Sequence, residues 1–173
     1  QVKGLKTWLN NDRQALKAVD GIDFSINKGQ TFALLGESGC GKSMTALSLL
    51  RLNPQPVSQI VEGSVLLSGQ DLLELSESEM QHIRGRRIAM IFQEPQSSLN
   101  PVFTVGEQIA ECLRWHFDLS TEEIRARTID LLESVGIPDV SLRVHEYPHQ
   151  LSGGMKQRVM IAMALANSPD MLI

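Results

Sequence analysis

Eight consecutive residues, Gly36-Glu37-Ser38-Gly39-Cys40-Gly41-Lys42-Ser43, follow the spacing G-x-x-x-x-G-K-S. The glycines let the backbone curl so that successive N–H groups point inward at a polyphosphate. The helical run that opens at Met44 aims its positive N-terminal end at the same anion. Lys42 supplies a cation for the β- and γ-phosphates, and the Ser43 hydroxyl supplies a ligand for Mg²⁺. An ordinary glycine turn is the competing reading. The flanks favour the phosphate loop: Thr31-Phe32-Ala33-Leu34-Leu35 reads as a short β-prone strand, and Met44 to Leu52 has helical spacing without Gly or Pro. Strand, loop and helix in that order predict a nucleoside triphosphate site.

Two further segments could contact such a ligand. Gln93 follows the apolar run Ile88-Ala89-Met90-Ile91-Phe92. Ligands gather at the carboxyl ends of parallel strands, so its amide oxygen could reach Mg²⁺ or a water near the γ-phosphate. A plain loop hydrogen bond is the alternative for a strand-end Gln. Leu151-Ser152-Gly153-Gly154-Met155-Lys156-Gln157-Arg158 places a hydroxyl and two bare backbone amides at a helix entrance. That is a second anion-binding device in one chain, with a Ser N-cap followed by flexible glycines as the simpler reading.

The elements that must position these groups alternate between strand and helix. Val2 to Leu9 and Ala18 to Ile26 read as strands joined by a polar turn over Asn10 to Gln14, and Gly63 to Gly69 as a short strand. Ser76 caps a helix running to about Arg84. Arg87 to Phe92 reads as a central parallel strand. Helices are expected from Thr104 to about Phe117 and from Ser120 to Val135, the second opened by a capping box of Ser120 and Glu123. A last helix runs from Ser152 to about Asn167, with Val159, Ala162, Met163 and Ala166 on one apolar face. The pattern predicts an α/β fold with a helical insertion near residues 100–150.

At 173 residues, 42% hydrophobic and 21% charged, the chain is the size of one domain and can bury a core. A formal net charge of −4 excludes a broad basic footprint for nucleic acid. The cluster Arg84, Arg86 and Arg87 reads as a solvated helix end. The longest apolar run, Val159 to Ala166, is too short to span a bilayer. Cys40 and Cys112 suggest reduced thiols and a cytosolic setting rather than a disulfide framework. The first residue is Gln1, and Pro169-Asp170-Met171-Leu172-Ile173 reads as a turn followed by the opening of a buried strand. The expectation is a piece of a longer polypeptide.

In this order, G-E-S-G-C-G-K-S, F-Q-E-P and L-S-G-G-M-K-Q-R resemble the ATP-binding cassette (ABC) ATPases, with Lys42 and Ser152 separated by 110 residues. The resemblance covers almost the whole chain. It implies a P-loop NTPase core of ABC type with an antiparallel β subdomain and a helical insertion, its C-terminal part missing. Residues 1–93 would form the ATP-binding core with the β subdomain, 94–152 the Gln loop and helical subdomain, and 153–173 the signature helix and the start of the Walker B strand. ATP and Mg²⁺ are the implied cofactors, held by residues 36–44 and Gln93, with Ser43 and Gln93 facing the metal. The implied assembly is a head-to-tail dimer with a second ABC ATPase subunit, identical or not. Ser152, Gly153 and Gly154 would then face the partner's ATP, which accounts for two phosphate devices in one chain.

The versions I-F-Q-E-P-Q-S-S-L-N-P at 91–101 and Y-P-H-Q-L-S-G-G at 147–154 are similar to the dipeptide, oligopeptide and nickel importer group. That similarity implies coupling to membrane permease subunits through the region 94–103, at the cytoplasmic face of the inner (plasma) membrane. Tyr147 and His149 are read as packing and turn chemistry. Trp8 is the candidate for stacking on adenine, with plain strand packing as the alternative. The family's Mg²⁺-binding Asp, catalytic Glu and switch His lie beyond Ile173, so no catalytic residue is assigned and residues 1–173 alone are expected to be inactive. The alternatives are a soluble ABC ATPase acting on ribosomes or DNA, whose basic linkers or long coiled-coil insertions are not visible, and a piece that only binds nucleotide.

Overall fold

The computed structural model describes residues 1–11, 14–94 and 98–173, the side chains of Asn11 and Gln14 excepted. The chain divides into two compact units, Gln1–Met80 and Gln81–Ile173.

The first unit is built on an antiparallel sheet of order β2-β1-β3-β4. Its strands are β1 (Val2–Asn11), β2 (Gln14–Phe24), β3 (Ser58–Leu67) and β4 (Gln70–Asp71). The β1–β2 ladder continues out to Asn11↔Gln14, further than the polar composition of 10–14 suggested. Residues 12 and 13 of that expected turn lie outside the described residues. Val2, Leu5, Val19 and Val65 from the sheet are buried, as are Leu49 and Leu50 of helix α1 (Lys42–Leu49) and its end.

The strand expected at Thr31–Leu35 is not formed. Among the described residues this run joins no ladder, and Leu35 is 87% exposed. An apolar, β-prone run becomes a strand only where a neighbour supplies its hydrogen bonds, and β propensity alone does not provide one. What holds the segment locally is Phe32, stacked on Phe24 with ring centroids 5.0 Å apart.

The second unit pairs β5 (Ile88–Ala89) in parallel with β6 (Met171–Leu172). Backbone bonds from Ile173 N to Ala89 O and from Ile91 N to Ile173 O extend the pairing. Ile88 and Ala89 are buried, whereas Leu172 is 45% exposed. Between them lie α3 (Val105–His116), α4 (Thr121–Ser134), the short α5 (Val140–Arg143) and α6 (Gly153–Leu165). Ile109, Leu132 and Val159, one from each long helix, are fully buried in a common cluster. Val159 and Ala162 confirm the apolar face read in the last helix.

The caps expected at Ser76 and Ser120 are present, and Thr104, expected only as a helix start, supplies another. Thr104 and Ser120 each form a reciprocal box, with Glu107 and Glu123, and Ser76 does so with Glu79 ahead of α2 (Glu77–Ile83). The Ser76 hydroxyl and backbone hold the Glu79 carboxyl below its ordinary range. The backbone N–H and hydroxyl of Thr104 do the same for Glu107, and those of Ser120 for Glu123. A carboxyl depressed in the folded state contributes stability above its unfolded pKa and loses it as pH falls through the folded value. Wild-type protein is therefore expected to lose thermal stability below about pH 4.3. The variant Glu79→Gln/Glu107→Gln/Glu123→Gln should lose less over the same interval, as followed by circular dichroism. Superimposable acid profiles would refute this.

Candidate nucleotide site

The loop 36–41 is irregular and largely exposed, and leads directly into α1. Gly39 and Gly41 have φ of +82° and +96°, a region that L side chains avoid. Gly41 has a second reason to be glycine: a Cβ there would run into the Ala18 carbonyl of β2. The lysine folds back over the loop. Its Nζ donates to Gly36 O at 2.8 Å and Glu37 O at 2.7 Å, and lies 3.7 Å from Cys40 Sγ. One ammonium thus sits against the backbone that would wrap a phosphate.

The entrances of the helices of seven residues or more differ in their first-turn charge. α2, α3 and α4 each begin with acidic residues in the first turn. α1 has none, and its cap residue Gly41 offers no side chain to its N–H groups. α6 also lacks first-turn acids, and its only cap is Ser152 Oγ, which accepts from Met155 N at 3.3 Å. A carboxylate would fill the positive end of a helix, and its absence leaves that end open to an outside anion. Gly153 and Gly154 have nothing within 4 Å of a would-be Cβ and no positive φ. Nothing within their own unit requires glycine there, which fits close approach by another molecule.

Ser43 and Met44 lie in the first turn of α1, with Ser43 exposed. Gln93 is exposed on a bend just past β5, at its carboxyl end. Magnesium takes few protein ligands and hard oxygen donors, with water and phosphate completing its shell. The Ser43 hydroxyl and the Gln93 amide oxygen are donors of that kind. Among the described residues, no cluster of three or more His, Cys, Asp or Glu side chains could hold a metal.

Trp8 is half-buried on β1, beneath the Lys17 ammonium at 5.4 Å from the ring centroid. Its indole Nε1 is buried without a hydrogen-bond partner. Tyr147 and His149 stack on each other at 5.8 Å, and Tyr147 opens the 3₁₀ turn Pro148–Gln150. This agrees with a packing and turn role.

Of the region 94–103, residues 95–97 lie outside the described residues. The remainder depends on a side chain not anticipated from the sequence. Gln108 of α3, buried, accepts from Asn100 N and donates to the carbonyls of Asn100 and Phe103 at 2.9–3.1 Å. It pins a turn that displays Val102 at 70% and Phe103 at 47% exposure. A buried Gln on an otherwise apolar helix face was the available signal. Both cysteines are free, and burial pushes the Cys112 thiol up.

Residues 19–173 match the ABC transporter family. The chain is 48% identical over 173 residues to the oligopeptide transport ATP-binding protein AppD of Bacillus subtilis, covering 100% of this chain and 53% of that protein. It is 47% identical to the oligopeptide transport ATP-binding protein OppD of the same organism, covering 100% and 48%. The chain thus spans about half the length of the curated relatives it matches. Among solved structures, it resembles the dimeric post-hydrolysis state of the ATP-binding cassette MJ0796 bound to ADP and Pi. The TM-score is 0.86 at 28% identity, over 99% of this chain and 72% of that one. No helix among the described residues is long and apolar enough to cross a membrane.

Proposed function

Because this chain belongs to the ABC transporter family, we propose that it is the ATP-binding core of a subunit that couples ATP binding and hydrolysis to import of peptides. The observation that carries this reading is the pairing of two acid-free helix entrances, at Lys42 and at Gly153, with near-50% identity along the whole chain to two oligopeptide transport ATP-binding proteins. The names of those relatives favour peptides over nickel as cargo.

In this reading residues 36–44 bind the phosphates. Lys42 exchanges its loop carbonyls for phosphate oxygens, and the N–H groups at the start of α1 complete the cradle. Mg²⁺, held through Ser43 and Gln93, would offset charge on the β- and γ-oxygens. Trp8 packs on the adenine once Lys17 swings clear of its ring. Ser152, Gly153 and Gly154 present their helix end to the ATP of a second ABC subunit, so that each nucleotide joins two chains. ATP-driven closure of that pair is passed to membrane permease subunits through the region 94–103, with Val102 and Phe103 as its apolar contact. The subunit would then lie peripherally on the cytoplasmic face of the membrane.

The test is transport by the full-length protein co-expressed with its permease subunits in vesicles. ATP-dependent accumulation of a labelled oligopeptide, and none of nickel ion, is expected. ATP turnover with no peptide movement would overturn the import assignment.

A further inference from the structure

The phosphate loop is exposed and its helix is only eight residues long, so the placement of Lys42 depends on how α1 is anchored to the sheet beneath it. One anchor is the close approach of Gly41 to Ala18. Another lies at the far end of the helix, beside the buried Leu49 and Leu50. Ser48 is fully buried, and its Oγ meets three groups: Met44 O at 2.6 Å, Asn53 Nδ2 at 3.0 Å and Thr7 Oγ1 at 2.8 Å.

A serine hydroxyl has one hydrogen and two acceptor lone pairs. Met44 O can only accept, so the Ser48 hydrogen is committed to it. Asn53 Nδ2 can only donate, and it takes one lone pair. Thr7 must therefore donate into the other. The Ser48 hydroxyl is saturated, and its direction is fixed by strand β1 on one side and by the chain leaving α1 on the other.

We propose that Thr7 is a positioning residue for nucleotide binding, acting through Ser48 to set the tilt of α1 and hence the placement of Lys42 and Ser43. This rests on the reading that residues 36–43 bind ATP. Six residues separate Ser48 from Lys42, about 9 Å of helix rise. A 10° change of tilt at the clamp would carry the lysine backbone about 1.5 Å, and misplacements of about 1 Å are costly at reacting centres. Without the Thr7 hydroxyl, a buried lone pair of Ser48 loses its donor, and a shift of α1 is the available relief.

The test crosses shape against hydroxyl. Thr7→Val keeps the shape and removes the donor, whereas Thr7→Ser keeps the donor and removes a methyl group. In the full-length protein, with binding measured by calorimetric titration of ATP, Thr7→Val is expected to weaken affinity about tenfold, the equivalent of one lost hydrogen bond. Thr7→Ser should stay within about twofold of wild type, even where its melting temperature falls as far. Asn53→Leu, which removes the other donor, should weaken binding in the same direction. Wild-type affinity in Thr7→Val, or losses in the two Thr7 variants that simply follow their melting temperatures, would overturn the proposal. Lys42→Ala serves as the control. If it binds ATP normally, the site reading falls and the proposal with it. If it fails to bind while Thr7→Val binds normally, only the proposal falls.

Discussion

Replacing Lys42 by Ala is expected to weaken ATP binding by at least about tenfold, from the loss of roughly 1.5–3 kcal/mol in charge-assisted hydrogen bonds to phosphate. The geometry gives the residue a second role. Its Nζ is bonded to two carbonyls of the loop it follows, so the ammonium holds the curl of 36–41 as well as its charge. Lys42→Met separates the two contributions poorly, because it keeps the stem but removes both. Lys42→Arg retains charge but replaces a compact ammonium with a planar fork that does not fit the two carbonyls in the same way. The expected order of affinity is wild type, then Lys42→Arg, with Lys42→Ala and Lys42→Met weakest. Calorimetric titration measures all four, and equal affinities for wild type and Lys42→Ala would sink the assignment of the phosphate site.

What could be read from the sequence was local. Gly39 and Gly41 follow from a backbone requirement satisfied within the loop itself. The box at Ser120 closes across three residues, and the Ser152 cap is equally short-ranged. The runs holding Ile88 and Met171 were legible as strands, the first as a parallel one, but not as partners of each other. Failures came where the deciding partner is distant. Thr31–Leu35 has strand composition but joins no ladder. β4 is two residues long, and its Asp71 carboxylate accepts from Val65 N and Leu73 N, a bracing that composition does not announce. Gln108 holds an irregular turn whose shape no periodicity encodes. The contact of Thr7 with Ser48 spans 41 positions. In each case local propensity lists options, and tertiary partners select among them.

Placing Arg at Ser152 should leave nucleotide affinity nearly intact while abolishing coupled turnover. The substitution removes the hydroxyl that accepts from Met155 N, a loss of about 1 kcal/mol for an N-cap. α6 keeps its buried face of Val159, Met160 and Ala162, so the helix itself survives. Ser152, Gly153 and Gly154 are exposed, and open space surrounds both glycines, so an arginine fits without distorting its own chain. Under the proposed two-subunit reading, its bulk would instead fill the space that receives the second subunit's ATP. The chain's own phosphate loop does not include Ser152, so ATP binding to the isolated full-length subunit should change less than about threefold. In the assembled transporter, the donors at this helix entrance would no longer reach the γ-phosphate. Losing one such electrostatic stabiliser lowers turnover on the order of 100-fold. A Ser152→Arg transporter that hydrolyses ATP at the wild-type rate would show that this helix entrance does not meet the partner's nucleotide.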